Sequence, residues 1–94
     1  MIPDRASGAS PAAAPDLYDL RGLSCPLPVL KTRRRLAGMA AGARLWVETT
    51  DPLAALDIPA FCNEDGHRLV ETLAVDGGNR FLIEKGWAPR EFTP

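Results

Sequence analysis

The 94-residue chain has little of what metal sites, membrane spans and nucleic-acid surfaces require. It contains only two cysteines, Cys25 and Cys62, and a single histidine, His67. The cysteines are 37 positions apart, which matches no metal-ligand spacing, so we expect neither a metal site nor a bound cofactor. No apolar run approaches the roughly 20 residues of a membrane span. With 6% aromatic residues and a net charge of −1, the composition also argues against a general nucleic-acid binder.

The N-terminal residues are rich in Ala, Pro and Ser, and they lack the apolar segment of a secretory signal. We therefore expect a disordered leader at residues 1–16, and a cytoplasmic protein whose thiols stay reduced. Residues 17–86 are predicted to form one small domain with a modest core. Residues 87–94 form a tail in which Trp87 and Phe92 either pack back on the domain or mark a contact surface, and packing is the favoured interpretation.

Strand-like runs predict four strands, at residues 17–20, 44–50, 68–75 and 80–85, and in the second of them Leu45, Val47 and Thr49 alternate with Trp46, Glu48 and Thr50. The last two are joined by Asp76-Gly77-Gly78-Asn79, which is a hairpin signal. Helical spacing predicts a first helix from residue 26 to about residue 40, with Gly42 as its stop signal. Asp51-Pro52 predicts the start of a second helix, which Pro59 should divide into two short pieces. The order βαβαββ predicts an α+β fold, a two-layer α/β sandwich with two helices on one face of a mixed four-stranded sheet.

The run Cys25-Pro26-Leu27-Pro28 lies where a turn leads into the first predicted helix. Ser24 or Cys25 is the expected N-cap, and Gly22 supplies backbone freedom beside the thiol. Unpaired N–H groups and the dipole at a helix start favour an anion, and this position lowers the pKa of a thiol from its usual value of about 8.5. The motif therefore predicts that Cys25 is a nucleophilic thiolate. From spacing alone, a buried cysteine without chemistry is the more frequent alternative.

Positive charge is concentrated around the helix that Cys25 opens. Six basic residues and no acidic residue lie between Arg21 and Arg44, whereas the rest of the chain carries five basic and twelve acidic residues. A solvated helix face is one explanation, and a docking face for an acidic partner or for RNA phosphates is the other. The candidate docking residues are Arg21, Lys31, Arg34 and Arg35. The predicted buried stripe of this helix comprises Val29, Thr32, Leu36 and Met39 or Ala40.

Residues 17–31, LYDLRGLSCPLPVLK, resemble the signature of the TusA/SirA-like sulfur carriers. Asp51-Pro52, residues 57–62 and Gly66-His67 extend the resemblance, which covers residues 17–85. The βαβαββ fold of that family agrees with the order of elements predicted from periodicity.

The resemblance implies that Cys25 accepts a sulfane sulfur as a persulfide and so acts as a sulfurtransferase. The implied donor is a cysteine desulfurase or a rhodanese-like protein, and the sulfur then passes to an acceptor protein. The family serves tRNA thiolation, molybdenum cofactor assembly and sulfur oxidation. Gly22, Pro26 and Pro28 are expected to shape the loop and support the thiolate. Cys62 is expected to be structural, with a resolving thiol as the alternative.

Two other functions compete with a sulfur carrier. The chain is a non-catalytic regulatory module if its basic first helix binds RNA or an acidic protein, in which case binding would be sensitive to salt. It is a thiol–disulfide redox protein if Cys25 and Cys62 lie within bonding distance of each other. No second cysteine lies two or three residues after Cys25, which disfavours the redox function.

Overall fold

The computed structural model describes residues 15–86, so the predictions made for the first 14 residues and for Trp87 and Phe92 lie outside the described residues. Six elements follow one another in the predicted order βαβαββ. They are β1 (Asp16–Asp19), α1 (Leu27–Ala37), β2 (Arg44–Thr49), α2 (Ala54–Asp65), β3 (Arg68–Val75) and β4 (Gly78–Glu84).

The four strands form one mixed sheet in the order β1-β2-β4-β3. β1 pairs parallel with β2, and β4 pairs antiparallel with both β2 and β3. Parallel neighbours need a crossover connection, and α1 provides it. The two helices contact each other and the sheet. The predicted α+β sandwich is therefore confirmed.

The core lies between the helices and the inner face of the two central strands. In the sheet register Leu45 of β2 is opposite Ile83 of β4, and Val47 is opposite Phe81. All four side chains are buried, as the alternation of β2 predicted. The helices and the loop after β1 contribute further buried apolar residues: Leu20, Leu36, Ala54, Ile58, Phe61 and Cys62.

The predicted stripe of α1 is confirmed, but the helix ends at Ala37, about three residues earlier than expected. Thr32 and Leu36 are fully buried, and Met39 rather than Ala40 packs against the core. The N–H of Met39 bonds to the Leu36 carbonyl three residues back, and the Lys85 ammonium donates to the same carbonyl at 2.6 Å. A cation at a helix C-terminus satisfies carbonyls that lack intrahelical partners, so Lys85 stabilises the end of α1, where Gly38 is the C-cap residue.

Gly42 is not the stop signal of α1, because the helix has already ended at Ala37. Gly42 instead has a φ of +87° in the turn before β2, and its N–H donates to the Lys85 carbonyl at 2.9 Å. A positive φ is readily adopted only by glycine, so the residue is needed for the turn.

The prediction that Pro59 divides the second helix is wrong, since α2 runs unbroken from Ala54 to Asp65. Proline has no N–H to donate to the carbonyl of Ala55, four residues back, and one intrahelical hydrogen bond is lost. Ile58 and Phe61, which lie on either side of the proline, are buried against the sheet. Tertiary packing of this apolar face keeps the segment helical despite the missing bond.

The hairpin between β3 and β4 is confirmed, with Val75 paired to Gly78 around the turn residues Asp76 and Gly77. Gly77 has a φ of +81°. Gly78 approaches the end of β2 closely, because a Cβ atom built there would lie 1.9 Å from the Thr49 carbonyl oxygen. The turn therefore packs against the point where β2 leads into the residues that hold Cys25.

Candidate functional site

Cys25 lies exposed in the loop that joins β1 to α1. This segment, the Cys25 loop (residues 20–26), is held by bonds to the end of β2 and to the residues that follow it. The N–H of Leu20 donates to the Glu48 carbonyl at 2.9 Å, and the N–H of Gly22 donates to Thr50 Oγ1 at 2.9 Å. Gly22 has a φ of +85°, so the predicted need for glycine at this turn is met by the geometry.

Asp51 connects the Cys25 loop to the segment that starts α2. One carboxylate oxygen accepts the backbone N–H of Cys25, and the other accepts the N–H of Leu53 at 3.1 Å. The second bond, to a donor two residues on, forms a side-chain turn that leads into the helix. Leu53, and not Asp51, is the N-cap residue of α2, which begins at Ala54 rather than directly after Asp51, and the Asp51 carboxylate also fixes the backbone of Cys25.

The thiol of Cys25 donates a hydrogen bond to Asp57 Oδ2, with the sulfur 3.1 Å from that oxygen. This bond raises the pKa of the Cys25 thiol, and desolvation and the negative charges of Asp57 and Asp51 add to the increase. The sequence predicted a pKa lowered by the helix start. That prediction is wrong, because it considered only the local helix and neither Asp51, which precedes α2, nor Asp57, which lies within it.

The first turn of α1 offers the sulfur few N–H groups. Pro26 is the N-cap residue, without a side-chain cap, so neither Ser24 nor Cys25 has the capping position predicted for them. Pro26 and Pro28 have no N–H, and the N–H of Leu27 is bonded to the Ser24 carbonyl at 2.8 Å. The helix dipole therefore acts on Cys25 largely without direct hydrogen bonds to the sulfur. Pro28 is buried and fixes the start of the helix on the core.

The four predicted docking residues divide into two pairs. Arg21 forms a salt bridge with Asp19 at 2.8 Å, and the Arg35 guanidinium lies over the ring of Tyr18 and 3.5 Å from Asp16. Lys31 and Arg34 are exposed and form no ion pair with any residue in the range 15–86. Among the four, Lys31 and Arg34 are therefore the cations free to meet a partner.

Exposed leucines lie at the start of both helices near the Cys25 loop. Leu27 begins α1 two positions after Cys25, and Leu53 is joined to the Cys25 backbone through the Asp51 carboxylate. The term leucine patch denotes the four exposed leucines in the first turns of the two helices, Leu27, Leu30, Leu53 and Leu56. Sequence analysis did not identify the patch, because exposure at these positions depends on how the helices pack.

Cys62 is buried in α2, and the two cysteines are free thiols. Burial raises the pKa of the Cys62 thiol to about 12, with the charge of Asp65 adding to the effect. A buried thiol of high pKa is a poor nucleophile, which supports the structural role predicted for Cys62. His67 directly precedes β3, and its Nδ1 accepts the N–H of Gly86 at 2.9 Å.

Asp57 is the site residue that sequence analysis missed. It occurred only within a motif of the resemblance and was given no role. The available signal was its position on α2, because it lies three residues after buried Ala54 and four before buried Phe61. Asp57 is half-buried at the edge of that apolar face, where its carboxylate accepts a hydrogen bond from the Cys25 thiol.

Between residues 15 and 86, no three His, Cys, Asp or Glu side chains are grouped so that they could hold a metal ion. The same range contains no helix long and apolar enough to cross a membrane.

Comparison with known proteins identifies a family whose sequences resemble this chain across the site. Residues 17–85, which include Cys25, Asp51 and Asp57, match the family described as sulfurtransferase TusA. A relative from Allochromatium vinosum, named sulfur carrier protein TusA, is 40% identical over 67 residues, which cover 71% of this chain and 88% of the relative. Two relatives from Neisseria meningitidis, of serogroups A and B, are provisionally named sulfur carriers. Each is 44% identical over 69 residues, which cover 73% of this chain and 93% of the relative.

Proposed function

The chain belongs to the sulfurtransferase TusA family, and from this premise we propose that it is a sulfur carrier that works through a persulfide on Cys25. The observation that supports the proposal best is the contrast between the two thiols. Cys25 is exposed in a loop fixed by hydrogen bonds, whereas Cys62 is buried. A carrier must meet a donor and then an acceptor, so its sulfur has to be reachable by two proteins in turn.

The donor is a protein that presents a persulfide, either a cysteine desulfurase or a rhodanese-like protein. The acceptor is a second protein that takes the sulfur toward tRNA thiolation, molybdenum cofactor assembly or sulfur oxidation. Transfer at each stage is thiol–persulfide exchange, in which one sulfur attacks another. The chemistry suits a reducing compartment such as the cytoplasm, where Cys25 stays a free thiol between cycles.

Partner proteins have two features to bind beside Cys25. The leucine patch offers apolar area of the kind that forms the centre of protein interfaces. Lys31 and Arg34 lie on the exposed side of α1 and attract acidic groups at the edge of such a contact. Arg21 and Arg35 already have acidic partners within the chain, so they contribute less to docking than their charge suggests.

Mass spectrometry of the intact protein tests the proposal. Incubation with a cysteine desulfurase and L-cysteine should add about 32 Da, and dithiothreitol should remove the addition. The reduction step is needed because a sulfinic acid has nearly the same mass but resists that reductant. The addition should be absent from Cys25→Ser and present in Cys62→Ser. Loading that survives Cys25→Ser, or none in the wild type, would reject the proposal.

A further inference from the structure

We propose that Asp57 accepts the proton of Cys25 during sulfur uptake and returns it to the departing donor thiolate. This inference rests on the proposed carrier function and assigns Asp57 a catalytic role at the same sulfur. Its basis is the contact between the Cys25 thiol and Asp57 Oδ2, at 3.1 Å. A general base must lie within hydrogen-bond reach of the proton that it removes, and Asp57 does so.

The contact is held from both sides. The Asp51 carboxylate fixes the backbone of Cys25 to the start of α2, while Asp57 itself lies near the beginning of that helix. The position of the thiol is therefore defined relative to α2 by two separate bonds. Asp57 forms no ion pair with a basic residue in the range 15–86. Its carboxylate is therefore available to take the thiol proton.

A proton acceptor is useful here because the surroundings keep the resting thiol protonated. Asp57 and Asp51 both raise the pKa of the Cys25 thiol, and among residues 15–86 no cation opposes them at the sulfur. The reactive form is nevertheless the thiolate. Removing the proton within an existing hydrogen bond, at the moment of attack, supplies that form without requiring a free thiolate at rest.

The exchange balances without an external oxidant or reductant. The Cys25 S–H bond breaks as its proton moves to Asp57, and the electron pair on the sulfur forms a bond to the terminal sulfur of the donor persulfide. The donor S–S bond breaks, and its electron pair leaves with the donor cysteine as a thiolate. Asp57 then protonates that thiolate. Cys25 ends as a persulfide, the donor ends as a thiol, and Asp57 is again a carboxylate.

Two small reagents that react at the same sulfur separate this role from a merely structural one. Iodoacetamide releases iodide, which needs no proton, whereas glutathione persulfide releases a thiolate, which does. In Asp57→Asn the negative charge is lost, so the pKa of the Cys25 thiol, read from the pH profile of alkylation, should fall. Loading from glutathione persulfide should instead become at least about tenfold slower, since general acid–base assistance is lost.

Three controls accompany the variant. Glu64→Gln removes one charge from an exposed position on the same helix, and both of its rates should match the wild type. Asp57→Glu keeps the carboxylate and should recover part of the loading rate. Cys62 should resist iodoacetamide in every variant, because it is buried in the folded protein. Its resistance therefore shows that the fold is intact.

In Asp57→Asn loading from glutathione persulfide must slow by more than alkylation does at the same pH, because only loading needs a proton for its leaving group. If the ratio of the loading rate to the alkylation rate stays unchanged or rises, Asp57 only sets the charge or geometry of the thiol and the inference is overturned. The proposed function fails separately, when wild-type Cys25 gains no sulfur from the cysteine desulfurase. If the wild type gains sulfur and the Asp57→Asn variant gains it equally fast, only the role of Asp57 is rejected, and the carrier function stands.

Discussion

The carboxylate of Asp51 accepts the backbone N–H of Cys25, so the loop that carries the thiol is bonded to the residues that begin α2. The two segments are 26 positions apart in sequence. The exposed sulfur is thus held in place by tertiary contacts rather than by the helix that follows it.

Replacement of Asp51 by Ala should destabilise the domain by about 1–2 kcal/mol, because the N–H groups of Cys25 and Leu53 both lose their acceptor. Urea unfolding followed by circular dichroism measures the change. Glu64→Ala is the matched control, since Glu64 is exposed on α2, and its free energy of unfolding should change by less than about 0.5 kcal/mol. Equal stability of the two variants would contradict the bridging role of Asp51.

Gly78→Ala should destabilise the protein by about 1–3 kcal/mol, because the new Cβ would lie 1.9 Å from the Thr49 carbonyl oxygen, which is backbone and must be displaced. Gly38→Ala is the matched control, because its Cβ would meet nothing closer than 3.8 Å and its φ is −91°. That variant should be neutral or slightly stabilised. Thermal unfolding of the two variants compares them directly, and a stable Gly78→Ala would show that the turn can move away from β2.

Stability should fall as the pH is lowered from about 7 toward 5, and His67 is the cause. Burial, with a further contribution from Lys85, lowers the pKa of His67 in the folded state. As the pH falls, the unfolded state therefore binds the proton at a higher pH than the folded state does. The contribution of His67 to the free energy of unfolding is fully present above about pH 6.5 and is lost as the pH falls through the folded pKa. Protonation also removes the acceptor at Nδ1 that holds the N–H of Gly86.

His67→Asn checks that assignment, because an amide oxygen can accept the same hydrogen bond and does not titrate. His67 is the only histidine of the chain, so the slope of unfolding free energy against pH between 7 and 6 should be much reduced in the variant. An unchanged slope would assign the pH dependence to other groups.

Charge reversal of Arg34 should slow sulfur loading from a cysteine desulfurase several-fold at low salt, because an exposed cation that steers an acidic partner is lost. Loading from glutathione persulfide should be unchanged, since that reagent needs no docking surface. Arg68→Glu makes the same charge change at an exposed position of β3 and serves as the control. Equal losses in the two variants, or a loss that persists at high salt, would argue against docking through α1.

Much of the fold was predictable because local signals and the final packing agree. The alternation around Leu45 and Val47 and the turn at Asp76-Gly77 each depend on residues that are neighbours in sequence. Pro59 was misread because its local preference is outweighed by the burial of Ile58 and Phe61, which depends on the sheet.

The candidate site was predictable only in part. The sequence identified Cys25 and its position before a helix, and the structure places the residue there in an exposed loop. The direction of its pKa shift was mispredicted, because Asp51 and Asp57 reach the thiol only after α2 has packed beside α1. Contacts between residues 26 and 32 positions apart leave no local pattern in the sequence.

Peptide mapping of the loaded protein tests the central claim most directly. After incubation with a cysteine desulfurase and L-cysteine, the added sulfur should be found on the peptide that contains Cys25, in a form released by dithiothreitol. The peptide that contains Cys62 should carry none. Sulfur found on Cys62, or on neither peptide, would contradict the account.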